Sequence, residues 1–184
     1  MDDRDAILSA LPISKGGERP HSTVASKAAP KGELWTAFVE MLVFHKGEIM
    51  ELPDLARFRD RAVCDPDVLG YVQETLGKPV HNVWDAEAGV TLCDLAVAET
   101  GSLLLTAGPK SLRMASLAPP VHVALVRAGS VVSSLDEALG RLSGRTSVLV
   151  TGPSRTADIE GVMVMGVHGP KRLLVVLLPE QIPA

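Results

Sequence analysis

Three short segments of this sequence carry residue types able to do chemistry. The first is Gly152-Pro-Ser-Arg-Thr-Ala-Asp-Ile-Glu160, which directly follows an apolar run ending at Thr151. Open parallel sheets place their binding crevice at such strand ends. The Gly152-Pro153 turn exposes backbone, Ser154 and Thr156 offer hydroxyls that also suit a helix cap, and Arg155 presents a planar fork for a carboxylate or phosphate. The segment therefore reads as an anion-binding loop. It lacks the spaced second glycine and the Gly-Lys pair of a nucleoside-triphosphate loop. A competing reading makes Asp158 and Glu160 first-turn acids of a following helix, paired with Arg155.

The second segment, Gly166-Val-His-Gly-Pro170, sets His168 between two glycines, where an exposed imidazole can move protons near neutral pH or serve only the turn. The third, Glu99-Thr-Gly-Ser102, puts a carboxylate at a turn. There it would act as a general base, a nucleophile or a partner for a bound amine or hydroxyl, or else be a solvated turn residue. If the third segment meets the first at one sheet edge, Glu99, Thr100, Gly101, Ser102, Gly152, Ser154, Arg155, Thr156, Asp158 and Glu160 form one ligand-binding site, with Glu99 and His168 as its candidate catalytic groups. His122 lies within an apolar strand and reads as a hydrogen-bonded core histidine.

The elements that must position these groups alternate helix and strand. Asp2 to Leu11 reads as a short helix, and Pro12 to Gly32 as a Gly/Pro/Ser/Lys-rich linker or flap. Residues 1–32 are thus an extension and 33–184 a single domain. Leu34, Phe38, Met41, Leu42 and His45 recur at helical spacing up to a stop at Gly47, followed by a strand at Glu48–Leu52. Helical patterns cover Asp54–Ala62 and Asp67–Gly77. No strand is evident from Pro53 to Lys78, which implies either a smaller sheet or a missing segment. Leu92 to Thr106 reads as a hairpin with Glu99 at its tip and positive φ at Gly101. A loop or short helix spans Leu112–Pro120, then a buried strand spans Val121–Arg127. Ser134 and Glu137 match a capping box opening a helix to about Leu142, and a strand follows at Ser147–Thr151. Strand, helix and strand from Val121 to Val150 predict a right-handed parallel crossover. The VMVMGV run is a short strand or a helical turn, and Leu173–Leu178 is a final strand.

Composition narrows the function. Hydrophobic residues make up 46% of the 184 and charged residues 22%, enough apolar surface for a packed core. Aromatics at 3% leave Leu, Val, Ala and Met to build it, as in a sheet covered by helices. The formal charge of −4 attracts neither nucleic acid nor an anionic membrane. Two cysteines, Cys64 and Cys93, make no disulfide framework and no zinc or iron–sulfur ligand set, so both are expected as buried thiols. The acidic start MDDRDAIL lacks a signal-peptide pattern, and no apolar run reaches the roughly 18 to 20 residues of a membrane span. A cytoplasmic location is the resulting expectation.

AETGS at 98–102, PPVHVALVR at 119–127, TGPSRTADIEG at 151–161 and GVHGP at 166–170 together resemble the LUD (lactate-utilisation) domain family. The resemblance is specific in the second half of the chain and general in the first. It implies an α/β fold with a mostly parallel open sheet flanked by helices, similar to sugar-phosphate isomerases, CoA transferases and formyltetrahydrofolate cyclo-ligases. It further implies the cysteine-poor C-type member of a three-protein bacterial system that oxidises L-lactate to pyruvate. On that resemblance the chain is an accessory or regulatory component with no cofactor of its own. Its expected partners are the system's iron–sulfur proteins, a small carboxylate or phosphate, and a second copy in a homo-oligomer. The fold analogy also keeps open a transferase- or ligase-type enzyme using Glu99 and Arg155 on an acyl, phosphosugar or folate-like substrate, and a structural homodimer with a vestigial site.

Overall fold

The computed structural model describes residues 31–108, 112–142, 146–157, 163–166 and 168–178. The expected N-terminal helix at Asp2–Leu11 and most of the linker lie outside these residues. The first described element is α1 (Lys31–Phe44), whose Phe38 and Leu42 are fully buried. Each contributes about 1.5–3 kcal/mol through burial. The chain leaves this helix one residue earlier than expected. Lys46 takes the left-handed conformation (φ 69°), and Gly47 is needed because a Cβ there would collide with the Leu42 side chain.

Five parallel strands form the main sheet in the order β1 (Glu48–Ile49), β11 (Arg172–Leu178), β6 (Val121–Arg127), β3 (Ala88–Leu92) and β2 (Ala62–Cys64). The central strands are near-continuous apolar runs because helices and a second sheet cover both of their faces. On one face Val90, Val123, Leu125 and Val176 pack against Leu55 and Phe58 of a 3-10 segment (Leu52–Phe58) and against Val72 and Leu76 of α2 (Leu69–Leu76). On the other, Ala124, Val126, Leu173 and Val175 pack under Phe38 and Leu42 of α1. The two-residue edge strand β1 is pinned by a bidentate pair, Arg172 Nε and Nη2 donating to Glu48 at 2.8 and 2.6 Å. That pairing holds the Glu48 carboxyl below its usual range.

The α/β class and the mostly parallel, helix-flanked sheet are as expected. Two details differ. The stretch 53–78 does hold a strand: β2 is three buried residues joined to β3. It is too short to leave a periodicity. The predicted parallel crossover from β6 to the strand at Ser147 does not form. That strand, β8 (Ser147–Val150), belongs to a second sheet, ordered β7 (Val131–Val132), β4 (Leu95–Val97), β5 (Ser102–Thr106) and β8. It runs antiparallel to β5, with Leu103 opposite Val150. Its side chains are only partly covered, as suits a sheet with one face toward water. Between β7 and β8 lies α3 (Leu135–Gly140), where Ser134 Oγ accepts from the Glu137 amide at 3.2 Å.

Candidate functional site

The hairpin tip and the Gly152 loop do meet. Gly101 has φ 63° and Gly152 φ 79°. Both turns press against the C-terminal end of α1: a Cβ at Gly101 would lie 2.5 Å from the Leu42 amide nitrogen, and one at Gly152 would strike the His45 carbonyl oxygen. Between the turns runs a chain of hydroxyls. Thr100 Oγ1 donates to Ser102 Oγ at 2.8 Å, and Ser102 Oγ bonds Thr151 Oγ1 at 2.6 Å. Glu99 is exposed and turned to another task, its carboxylate accepting from the Leu135 amide at 3.3 Å in the first turn of α3.

The second meeting joins the Gly152 loop to the His168 turn. The Ser154 amide donates to Pro170 O at 2.9 Å and Ser154 O accepts from the Gly166 amide at 2.8 Å. Thr151, Gly152, Ser154 and His168 line a cavity of about 230 Å³ that also reaches His122. Arg155 and Thr156 do not line it. The loop runs into a strand: β9 (Arg155–Ala157) pairs antiparallel with β10 (Met163–Met165), so Arg155 is an exposed strand residue opposite Met165. Asp158 and Glu160 lie outside the described residues.

A cleft that the sequence reading missed opens at the carboxyl ends of β2, β3 and β6, where parallel sheets bind ligands. Its volume is about 140 Å³, and its lining includes Asp65, Asp67, Asp94, Arg113 and Arg127. The strand ends position three of these side chains: Asp65 follows β2, Asp94 lies two residues beyond β3, and Arg127 closes β6. Arg113 opens a 3-10 turn (Arg113–Ser116) seated directly on β3, where Gly89 leaves the room that the Ala115 carbonyl fills. Asp65 is only 6% exposed, and burial raises its pKa although the Leu112 amide donates to Oδ1 at 2.5 Å. Asp94 Oδ2 accepts from the Thr106 amide at 2.7 Å. A detectable signal was present, a charged residue directly after or near the end of each buried run (AVCD, VTLCD, VALVR).

The two cavities adjoin. Ser116 and Val148 line both, and Thr91 of the cleft bonds His122 Nε2 at 2.8 Å. Burial pushes the His122 imidazole down to about 4, so the ring is neutral at physiological pH. Among the described residues no group of three or more His, Cys, Asp or Glu could hold a metal ion. Cys64 and Cys93 are buried free thiols, which burial pushes up to about 12.

The LUD domain family model matches residues 51–178, about two thirds of the chain and the whole of both cavities. The chain belongs to the LUD domain family. Lactate utilization protein C of Deinococcus radiodurans is 36% identical over 99 residues, 50% of this chain and 47% of that protein. Lactate utilization protein C of Shouchella clausii is 25% identical over 167 residues, covering 84% of this chain and 73% of that protein. The matched stretch thus spans about half the length of the Deinococcus relative and 51% of a Geobacillus one. The crystal structure of a DUF162 family protein from Deinococcus radiodurans shares the fold, with TM-score 0.58 at 21% identity over 81% of this chain and 98% of that one. Among the described residues of this chain no helix is long and apolar enough to cross a membrane.

Proposed function

We propose that this LUD domain is an accessory or regulatory component of bacterial L-lactate oxidation, binding a small carboxylate and acting through the iron–sulfur proteins of that system. The observation that carries the reading is the cleft at the strand ends, where Arg113 and Arg127 line a cavity of small-ligand size. A guanidinium grips a carboxylate through two parallel hydrogen bonds, which fixes orientation as well as charge. The names of the relatives supply the metabolic context. In this reading Gly152, Ser154 and His168 border the ligand through the adjoining cavity, and Thr100, Gly101 and Ser102 keep the two loops in register. Glu99 serves α3, and Arg155 with Thr156 stays outside the pocket.

Two measurements test it. A tagged chain expressed with the other proteins of its system is expected to co-purify with them, and its deletion to impair growth on lactate. Titration calorimetry with small carboxylates is expected to show binding that Arg127→Met weakens about tenfold or more, the loss of one charged hydrogen-bonded contact. A chain that never associates with those proteins, and whose loss leaves growth on lactate intact, sinks the accessory role.

A further inference from the structure

Beside the cavity that holds His122, three backbone segments converge on a surface groove. Trp84 comes from a turn, Met114 and Leu117 from the 3-10 segment seated on β3 and the residue after it, and His168 and Lys171 from the loop before β11. Leu117, His168 and Gly169 line both spaces, so the groove leads from that cavity to the surface. Each segment is anchored. The Trp84 amide donates to Asn82 Oδ1 at 3.2 Å, and the Asn82 side-chain amide donates to Asp85 at 2.9 Å. The Leu117 and Ala118 amides both donate to Met114 O, at 3.1 and 2.9 Å. The Lys171 amide donates to Pro120 O at 2.8 Å, and its aliphatic stem lies across Gly166, where φ is 71° and a Cβ would strike the Lys171 Cγ.

These fixed backbones present apolar side chains to water. Trp84 is 73% exposed, Met114 38% and Leu117 37%. Among the described residues no aromatic ring stacks on the Trp84 indole. Large apolar groups exposed together in one concave place mark a binding surface. The charge is one-sided. Lys171 and the exposed His168 line the groove, no described acid does, and Lys171 forms no salt bridge among the described residues. The strand-end cleft, by contrast, mixes acids with guanidiniums. The groove thus joins a flat apolar platform to a cation, and its volume of about 440 Å³ falls within the roughly 300–1,000 Å³ of small-molecule sites.

We propose that this groove binds a nucleotide, with its base stacked on Trp84 and its phosphate held by Lys171. A base offers a π-face that an exposed indole can cover, and Met114 and Leu117 supply the apolar flank. An ammonium binds phosphate as a point charge, and packing of its stem on Gly166 fixes where that charge sits. The His168 ring, on the side toward the second cavity, adds an N–H donor for the phosphate or a sugar hydroxyl. A small molecule suits the shape better than a protein or a second copy. Stable interfaces cover about 800 Å² on each partner, whereas the exposed apolar groups here are three side chains within one groove. The site stands apart from the carboxylate reading of the cleft, which uses other side chains.

Trp84 reports on its own site. Adenosine monophosphate is expected to quench the tryptophan emission of the full chain saturably and to leave Trp84→Phe, which emits from Trp35 alone, unchanged. In titration calorimetry Trp84→Ala is expected to weaken adenosine monophosphate about tenfold or more, the loss of one stacking platform. Lys171→Met, which keeps the stem that packs on Gly166, is expected to weaken it about tenfold while adenosine stays within about twofold. Ribose 5-phosphate, with no base, is expected to bind at least about tenfold more weakly than adenosine monophosphate. Equal affinity for adenosine monophosphate in the parent and Trp84→Ala overturns the stacking and with it the site. Equal affinity for adenosine and its monophosphate overturns the phosphate contact. Absence of binding by all three probes overturns the proposal outright. Trp84 emission that changes on dilution of the chain without nucleotide also overturns it, and assigns the groove to a second copy.

Discussion

Buried in β6, the His122 ring gives the molecule a pH signature that can be worked out in sign. The unfolded chain takes up its proton near 6.5, whereas the folded chain does so only near 4. Between these values the unfolded state holds more protons, so stability falls as pH drops from 6.5 toward 4 and is unaffected by this group above 6.5. The slope is at most about 1.4 kcal/mol per pH unit. Asp65 works in the opposite direction: its raised pKa makes the folded chain bind a proton more readily above the ordinary aspartate value, and stability from that source rises as pH falls there. Urea denaturation between pH 7.5 and 4.5 should show a shallower acid-side loss in His122→Asn than in the parent, the Asp65 contribution cancelling in the comparison. An unchanged slope would mean that His122 is protonated in the fold despite its burial. The reading of His122 as a core histidine was available from its apolar strand alone. The Asp65–Arg127 cleft was not, because Asp65 fell in a stretch read as helical and the charges meet only once three strands from distant parts of the chain lie side by side.

At the scale of elements, the two turns are held by α1 rather than by each other alone. Gly101 and Gly152 are glycines for two reasons at once, left-handed φ and direct contact with the helix end. Gly101→Ala is therefore expected to lose about 1–2 kcal/mol from backbone conformation, plus the cost of moving α1 away from a Cβ 2.5 Å from its backbone. Gly129→Ala is the control, since a Cβ there meets nothing within 4 Å. Thermal melts should separate the two variants by several degrees, and equal melting temperatures would show that the turn can move off the helix cheaply. The positive φ of Gly101 and the hairpin were legible in ETGS, and so was the Ser134 cap. The reciprocal half of the capping box was not realised as expected: Glu137 reaches the Ser133 amide and hydroxyl, at 3.0 and 2.9 Å, one residue before the cap. Residues 155–157 form the strand β9 because pairing with β10 satisfies their backbone, and short-range spacing cannot report a partner eight residues on.

For the whole molecule, the sequence pattern located β1, β4, β5, β6, β8 and β11 but not β2, β3, β7 or β9, nor the division of the strands into two sheets. Which strand joins which sheet depends on long-range pairing, as with β8 and β5, and leaves only the partial exposure of Ser147–Val150 as a local trace. The two sheets share one core through α1: Phe38 and Leu42 pack with Ala124 and Val175 of the parallel sheet and with Ala96 and Leu103 of the other. This arrangement predicts a single cooperative unfolding transition. The molecule supplies its own probe, since Trp35 stacks on Phe38 with ring centroids 5.3 Å apart, whereas Trp84 is 73% exposed. In a Trp84→Phe background, Trp35 fluorescence reports the shared core and far-UV circular dichroism reports both sheets. Coincident midpoints are expected, and Phe38→Ala should lower both together by about 3–5 kcal/mol, the cost of emptying a fully buried aromatic site. Fluorescence that is lost at lower urea than the dichroism would mean that α1 detaches first. The turns at Gly101 and Gly152 would then lose their seat while the parallel sheet and its charged cleft survived.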